Sequence, residues 1–185
     1  MRRSVRRANC VDWTFGGIEV TTEKQYNVLV LCTGNSARSI LGEVLFNSLG
    51  KGKFKAYSAG RKPAGRVNPG AIELLQERGF SIEGLRSKSW DEFAAPGAPD
   101  IDFIFTVCDN AAGESCPIWP GHPATAHWGI PDPAHIEDME ARRTAFKRAF
   151  EQLSRRIQLF MALPIDKLDK MTLKEKMAEI GRIQD

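Results

Sequence analysis

The sequence predicts an α/β domain built on a parallel sheet, and three observations carry that expectation. Two runs, VLVL at 28–31 and IDFIFTVC at 101–108, are apolar with little alternation, as strands buried on both faces are. Segments with apolar residues at helical spacing lie between and beyond them. Strands that alternate with helices pair in parallel, with the helices serving as crossovers.

The elements follow in order. The run 28–31 makes the first strand and stops at Cys32. Residues 36–49 carry Ile40, Leu41, Val44, Leu45 and Leu49 at helical spacing, and Gly50 and Gly52 end that helix. FKAYSAG at 54–60 alternates enough for a second strand, closed by Gly60. RKPAGRVNPG at 61–70 reads as a loop, with Asn68 as an N-cap and Pro69 at the first helical position of the segment that follows. SKSWDEFA at 87–94 is expected as a short helix and APGAPD as a linker. IDFIFTVC is the third strand, and TAHWGI at 125–130 a short fourth. From about residue 137 a long helix runs to Pro164 with Phe146, Phe150, Leu153, Ile157 and Phe160 as its apolar stripe. Residues 1–25 are expected to form an N-terminal extension, 26–163 the domain, and 164–185 a C-terminal amphipathic tail.

Composition narrows the function classes. With 26 basic and 23 acidic side chains among 185 residues, the chain lacks the strongly basic balance of a nucleic-acid binder. No run approaches the ~18 apolar residues of a membrane span. The basic N-terminus, MRRSVRRANCVDWTFGG, has no continuous apolar core, which argues against a secretory signal and for the cytoplasm. The four cysteines, Cys10, Cys32, Cys108 and Cys116, then read as reactive rather than structural, because a domain of this size needs no disulfide staples.

The chemistry centres on CTGNSARS at 32–39, which fits Cys-x5-Arg-Ser. In parallel sheets ligands bind outside the carboxyl ends of the strands, where the winding direction switches. Cys32 ends the first strand, Cys108 the third, and Asp132 lies just past the fourth, so all three are expected at one edge of the sheet. The backbone N–H groups of Thr33, Gly34, Asn35, Ser36 and Ala37, with the N-terminus of the next helix, form an anion nest. Arg38 adds a planar fork of donors suited to a tetrahedral oxyanion. The same positive surroundings are expected to bring the Cys32 thiol into the ~3.5–7.5 range of helix-terminal or cation-paired thiols. Ser39 is placed to donate to the thiolate, and Asn35 to hold a left-handed turn. The loop lacks the lysine of a nucleotide-binding Gly-Lys-Ser/Thr loop and the three glycines of a dinucleotide fingerprint.

Other readings stand beside these. Cys32 as a buried structural thiol would need its arginine nearby by chance. Asp132 in HWGIPDP is the natural general acid, though an aspartate before Pro133 is also a common turn pairing. Cys108 and Cys116 in VCDNAAGESCP can be ordinary buried thiols or a pair that closes a disulfide across a turn-prone loop. A zinc set with His122 and His127 has a Cys-to-Cys spacing wider than the usual knuckle, and no metal or cofactor is expected.

Taken together, VLCTGNSARS, YSAG, VNPGAIE, TVCDNAAGESCP and HWGIPDP, in that order, resemble the arsenate reductases of the low-molecular-weight tyrosine phosphatase fold. That resemblance implies a three-layer, flavodoxin-like fold with a four-stranded parallel sheet flanked by helices. It also implies a relay. Cys32 attacks arsenate held by the loop and Arg38, and Asp132 protonates the departing oxygen. Cys108 then attacks Cys32 and expels arsenite, and Cys116 attacks Cys108 to leave a redox-active disulfide for thioredoxin or glutaredoxin, mycothiol being the reductant of other relatives. Phosphate and sulfate are the expected competing oxyanions. Some relatives bind potassium beside the loop; Asn35, Glu43 and Ser58 match that site, and its aspartate corresponds to Ser89. The alternatives are a phosphatase hydrolysing phosphomonoesters through a Cys32 thiophosphate, and a non-catalytic oxyanion-binding module. Phosphotyrosine-hydrolysing relatives carry tyrosines after the Asp-Pro pair; here Ala134 and His135 follow.

Overall fold

A computed structural model describes residues 24–107, 121 and 123–183. Its sheet has four parallel strands: β1 (Tyr26–Cys32), β2 (Phe54–Gly60), β3 (Phe103–Thr106) and β4 (Ala124–His127). Their spatial order is β2-β1-β3-β4, so the winding direction switches at β1. The crevice at the carboxyl ends of β1 and β3 is therefore where the fold offers a site.

Among the described residues five α-helices surround the sheet: α1 (Arg38–Leu49), α2 (Pro69–Glu77), α3 (Asp91–Ala94), α4 (Met139–Met161) and α5 (Lys170–Gly181). The period-two geometry of a strand divides β1 between two cores. Val28, Val30 and Cys32 join the larger core under α1, α2, α4 and α5, while Leu29 and Leu31 join Trp90, Phe93 and Ile101 on the other face. Both faces are thus covered, as the unbroken apolar run requires.

Aromatic packing fills the larger core. Phe160 of α4 meets Phe46, Phe103, Phe105 and Trp128 edge-on, with ring centroids 5.0–6.2 Å apart. Each such buried side chain is worth roughly 1.5–3 kcal/mol of transfer free energy. Close backbone approach matters at Gly42 of α1, where an added Cβ would lie 2.9 Å from Val30 Cγ1.

The expected cap is present, and several boundaries shift, the fourth strand covering Ala124–His127 rather than 125–130. Asn68 accepts a hydrogen bond from Gly70 N at 2.9 Å, capping α2 behind Pro69. Helix α1 begins at Arg38 rather than 36, because residues 33–37 are spent on the loop. Residues 87–89 are extended instead of helical, with Ser89 bridged in parallel to Gly60.

The larger difference lies at the C-terminus. Residues 164–185 read as a tail, but Leu173, Met177 and Ile180 of α5 are buried in the main core. Trp128 Nε1 donates to the Met177 carbonyl at 2.9 Å, and Arg156 links Gly129 O and Ile183 O at 3.1 and 3.0 Å. A Cβ at Gly181 would lie 2.3 Å from His127 O. The stripe is only three residues wide because α5 covers the exposed edge of the sheet along β4 rather than a broad face. It also packs on His127 and Trp128, at the start of the segment that leads from β4 toward Asp132.

Candidate active site

The site grows from the end of β1. Strand pairing on both sides fixes Cys32 in register with Gly60, and the next five residues must turn through a loop before α1 can start. Trans peptide bonds settle which way that loop faces, since the C=O of one residue and the N–H of the next point in opposite directions. The carbonyls of Thr33, Gly34 and Ser36 turn outward to Lys62 N, Ala64 N and Asn68 N at 2.9, 2.9 and 2.8 Å. The N–H groups of Gly34, Asn35 and Ala37 therefore turn inward, and that of Asn35 reaches Cys32 Sγ at 3.1 Å. Helix α1 adds the positive end of its dipole, with no side-chain cap on Ala37 and no acidic residue in its first turn.

Asn35 organises the loop. It is fully buried and has φ of 43°, the left-handed conformation that asparagine tolerates. Its amide Nδ2 donates to Ser39 Oγ at 2.9 Å and to Ser58 Oγ at 2.8 Å, and its Oδ1 accepts from Lys88 N at 2.8 Å. Ser39 Oγ, also buried, lies 2.9 Å from Cys32 Sγ. Because Ser39 already accepts from Asn35, its own proton is available to the sulfur, and it must be the donor once the sulfur is a thiolate. Cys32 is 5% exposed, so a reactant reaches it only through the mouth of the loop.

Across that mouth stand Arg38 and Asp132. Arg38 Nη1 donates to Ile130 O at 2.8 Å and Nη2 pairs with Asp132 Oδ2 at 2.5 Å. Asp132 Oδ1 accepts from Ala134 N at 3.0 Å, a turn contact, while its other oxygen faces Arg38. The two residues expected to serve an oxyanion are brought together, and an anion entering the loop competes with Asp132 for the guanidinium fork.

Cys108 and Cys116 lie outside the described residues, as do Cys10 and His122 of the zinc alternative. His127, the remaining member of that set, has Nδ1 2.9 Å from Thr106 Oγ1. Val107, the residue before Cys108, is fully buried, and its N–H donates to Leu31 O at 2.9 Å. Among the described residues no group of three or more metal-ligating side chains occurs, and no helix is long and apolar enough to cross a membrane.

The potassium site implied by the resemblance does not fit this chain. Ser89 Oγ donates to Asp91 Oδ2 at 2.9 Å, and the Lys88 ammonium lies 3.2 Å from Glu43 Oε2. Three contributors were missed by sequence reasoning. Ser87 Oγ donates to Gly34 O at 3.1 Å, Lys88 braces Asn35, and Gly60 leaves room for the loop, since a Cβ there would lie 2.6 Å from Thr33 O. Nothing local marks the first two; a lysine between two serines reads as solvated surface. Gly60 was visible only as a strand end.

Residues 27–176 match the profile of a family described as low molecular weight phosphotyrosine protein phosphatase. A protein of Shouchella clausii named arsenate reductase is 34% identical over 134 residues, covering 72% of this chain and 93% of its own. The crystal structure of an arsenate reductase from Archaeoglobus fulgidus superposes with a TM-score of 0.55 at 33% identity, over 71% of this chain and 98% of that one. A structure described as an arsenate reductase in the phosphate binding state gives 0.58 at 28% identity, over 72% and 98%.

Proposed function

The chain belongs to the low molecular weight phosphotyrosine protein phosphatase family, and from that premise we propose that it is a cytoplasmic arsenate reductase. Arsenate enters the loop, taking the N–H groups turned inward at Gly34, Asn35 and Ala37 and drawing the Arg38 fork from Asp132. The Cys32 sulfur attacks arsenic, an S–As bond forms, and one oxygen leaves as water with a proton from Asp132. Ser39 holds the sulfur before attack and steadies it as a leaving group afterwards.

Reduction needs a second thiol. Cys108 attacks the Cys32 sulfur; the S–S bond forms, the S–As bond breaks, and its electron pair stays on arsenic, taking As(V) to As(III) as arsenite leaves. Cys116 then attacks the Cys108 sulfur, freeing Cys32 and forming a Cys108–Cys116 disulfide. A dithiol reductant of the thioredoxin or glutaredoxin class reduces that bond. Electrons balance: two leave the thiol pair and two arrive on arsenic.

The observation that carries this reading over hydrolysis is the placement of the chain just before the second thiol. Val107 is bonded to Leu31, the neighbour of Cys32, which supports an approach of residue 108 to the nucleophile. A phosphatase has no use for thiols there. The loop itself suits phosphate as well as arsenate, so phosphate is expected to compete.

NADPH oxidation with arsenate tests the proposal, using thioredoxin with thioredoxin reductase, then glutathione with glutaredoxin. Turnover is expected with one of them, and Cys116→Ser should end multiple turnover while leaving any hydrolysis of p-nitrophenyl phosphate intact. Absence of NADPH consumption in both systems, with hydrolysis of the phosphate ester retained, would overturn reduction in favour of the phosphatase.

A further inference from the structure

Lys88 is a buried charge that the reaction steps do not use. Its side chain is 6% exposed, and its Nζ lies 3.2 Å from Glu43 Oε2 and 3.4 Å from the Arg86 carbonyl. The Ser58 hydroxyl donates to the same Glu43 oxygen and accepts from Asn35 Nδ2 at 2.8 Å. The other Asn35 Nδ2 proton goes to Ser39 Oγ at 2.9 Å, and Ser39 lies 2.9 Å from Cys32 Sγ. A second strand of the network is backbone: Lys88 N donates to Asn35 Oδ1 at 2.8 Å. Lys88 thus grips Asn35 directly and again through Glu43 and Ser58.

The charge balance explains why a lysine stands there. A largely buried carboxylate at Glu43 needs a counter-charge, and removing one partner of such a pair leaves an uncompensated charge behind. The position that the potassium-site resemblance assigns to a further carboxylate is Ser89 in this chain, and it bonds to Asp91. An ammonium group and a potassium ion have the same charge and similar size. We propose that Lys88 is a built-in monovalent cation: it neutralises Glu43 and positions Ser58, Asn35 and Ser39 around Cys32, so the loop assembles without potassium. Lys88 is a positioning residue, since it acts on the sulfur through others.

This inference rests on Cys32 being the nucleophile of the proposed reaction, but its test needs no arsenate turnover. The rate of Cys32 alkylation by iodoacetamide is followed by peptide mass spectrometry across the pH profile and compared at a pH below the wild-type midpoint, where it tracks the thiolate population, in potassium chloride and in choline chloride at matched ionic strength. The wild-type rate is expected to be the same in both. Lys88→Ser exposes the loop to the bare charge of Glu43 and opens a space for an ion. Its rate should fall about tenfold in choline, the equivalent of one pKa unit in thiolate population, and recover to within about threefold of wild type in potassium. Should Lys88→Ser fail to fold, Glu43→Gln/Lys88→Met removes both charges, and its rate should stay within about threefold of wild type in either salt. A wild-type rate that depends on potassium would overturn the proposal. So would a Lys88→Ser rate unchanged in choline, a loss that potassium does not recover, or a tenfold loss in the double variant.

Discussion

Gly60→Ala places one methyl group behind the catalytic loop, and the structure fixes what it meets. The added Cβ would lie 2.6 Å from Thr33 O, 2.9 Å from Asn35 N and 3.0 Å from Asn35 Cβ, none of which is the end of a flexible side chain. Gly60 cannot retreat. Its N–H donates to Lys88 O at 3.0 Å, its carbonyl accepts from Trp90 N at 3.0 Å, and β2 is paired with β1 along its length. The loop must give, by about 0.5–1 Å if the contacts are to relax to ordinary van der Waals distances. Overpacking of this kind costs roughly 1–3 kcal/mol of stability. The larger effect falls on chemistry, since misplacing a reacting group by about 1 Å costs on the order of 10²-fold in rate. Single-turnover arsenite release checks the second effect and chemical denaturation the first, with protection of Cys32 from alkylation by phosphate reporting the anion seat. Gly34→Ala is the contrast for stability: inside the loop itself, its Cβ would meet only Ser36 Oγ at 3.8 Å, so it should unfold within about 0.5 kcal/mol of wild type. Wild-type turnover and phosphate protection in Gly60→Ala would refute the claim that Gly60 sets the shape of the loop.

Two further outcomes follow from features remote from the sulfur. Burial, and then the hydrogen bond to Asp166, push the Tyr26 phenol from 10.0 up to about 12. The folded state therefore holds this proton more tightly than the unfolded chain. That stabilisation is complete below about pH 10 and is lost as pH rises through about 12, on the order of 2–3 kcal/mol in all. Urea unfolding across this range should show wild type losing its advantage over Tyr26→Phe, and a constant difference would refute the assignment. Gly181→Ala drives a Cβ to 2.3 Å from His127 O and should lift α5 from the sheet edge, costing roughly 1–3 kcal/mol. Because α5 packs on His127 and Trp128, which lead into the Asp132 segment, hydrogen exchange should also quicken at residues 128–132. Wild-type protection there would show that α5 does not support the acid.

Much of the site was legible because it is local. Cys32, Asn35, Arg38 and Ser39 fall within eight residues, and the chemistry of a nest, a thiol and a guanidinium follows from their spacing and from the strand that precedes them. Asp132 was reached by the rule that strand ends gather at the switch point, which holds for any parallel sheet with this alternation. The packing of the C-terminal amphipathic segment was not legible, for a physical reason: a helix covering one sheet edge needs only Leu173, Met177 and Ile180 on its buried face, a pattern too sparse to distinguish from a surface segment.

The sequence by itself determined the alternation of strands and helices, the strand that ends on a thiol, and the donor loop that must follow it, since each depends on neighbours in the chain. Only the tertiary structure decided that Lys88 reaches Glu43, that Gly60 makes room for Thr33, and that Arg38 rests on Asp132. Those partners are 27 to 94 residues apart. No period or motif links such positions; parallel pairing of β1 with β2 and β3 brings them together, and the cost of burying a charge unpaired makes the meeting of Lys88 and Glu43 obligatory.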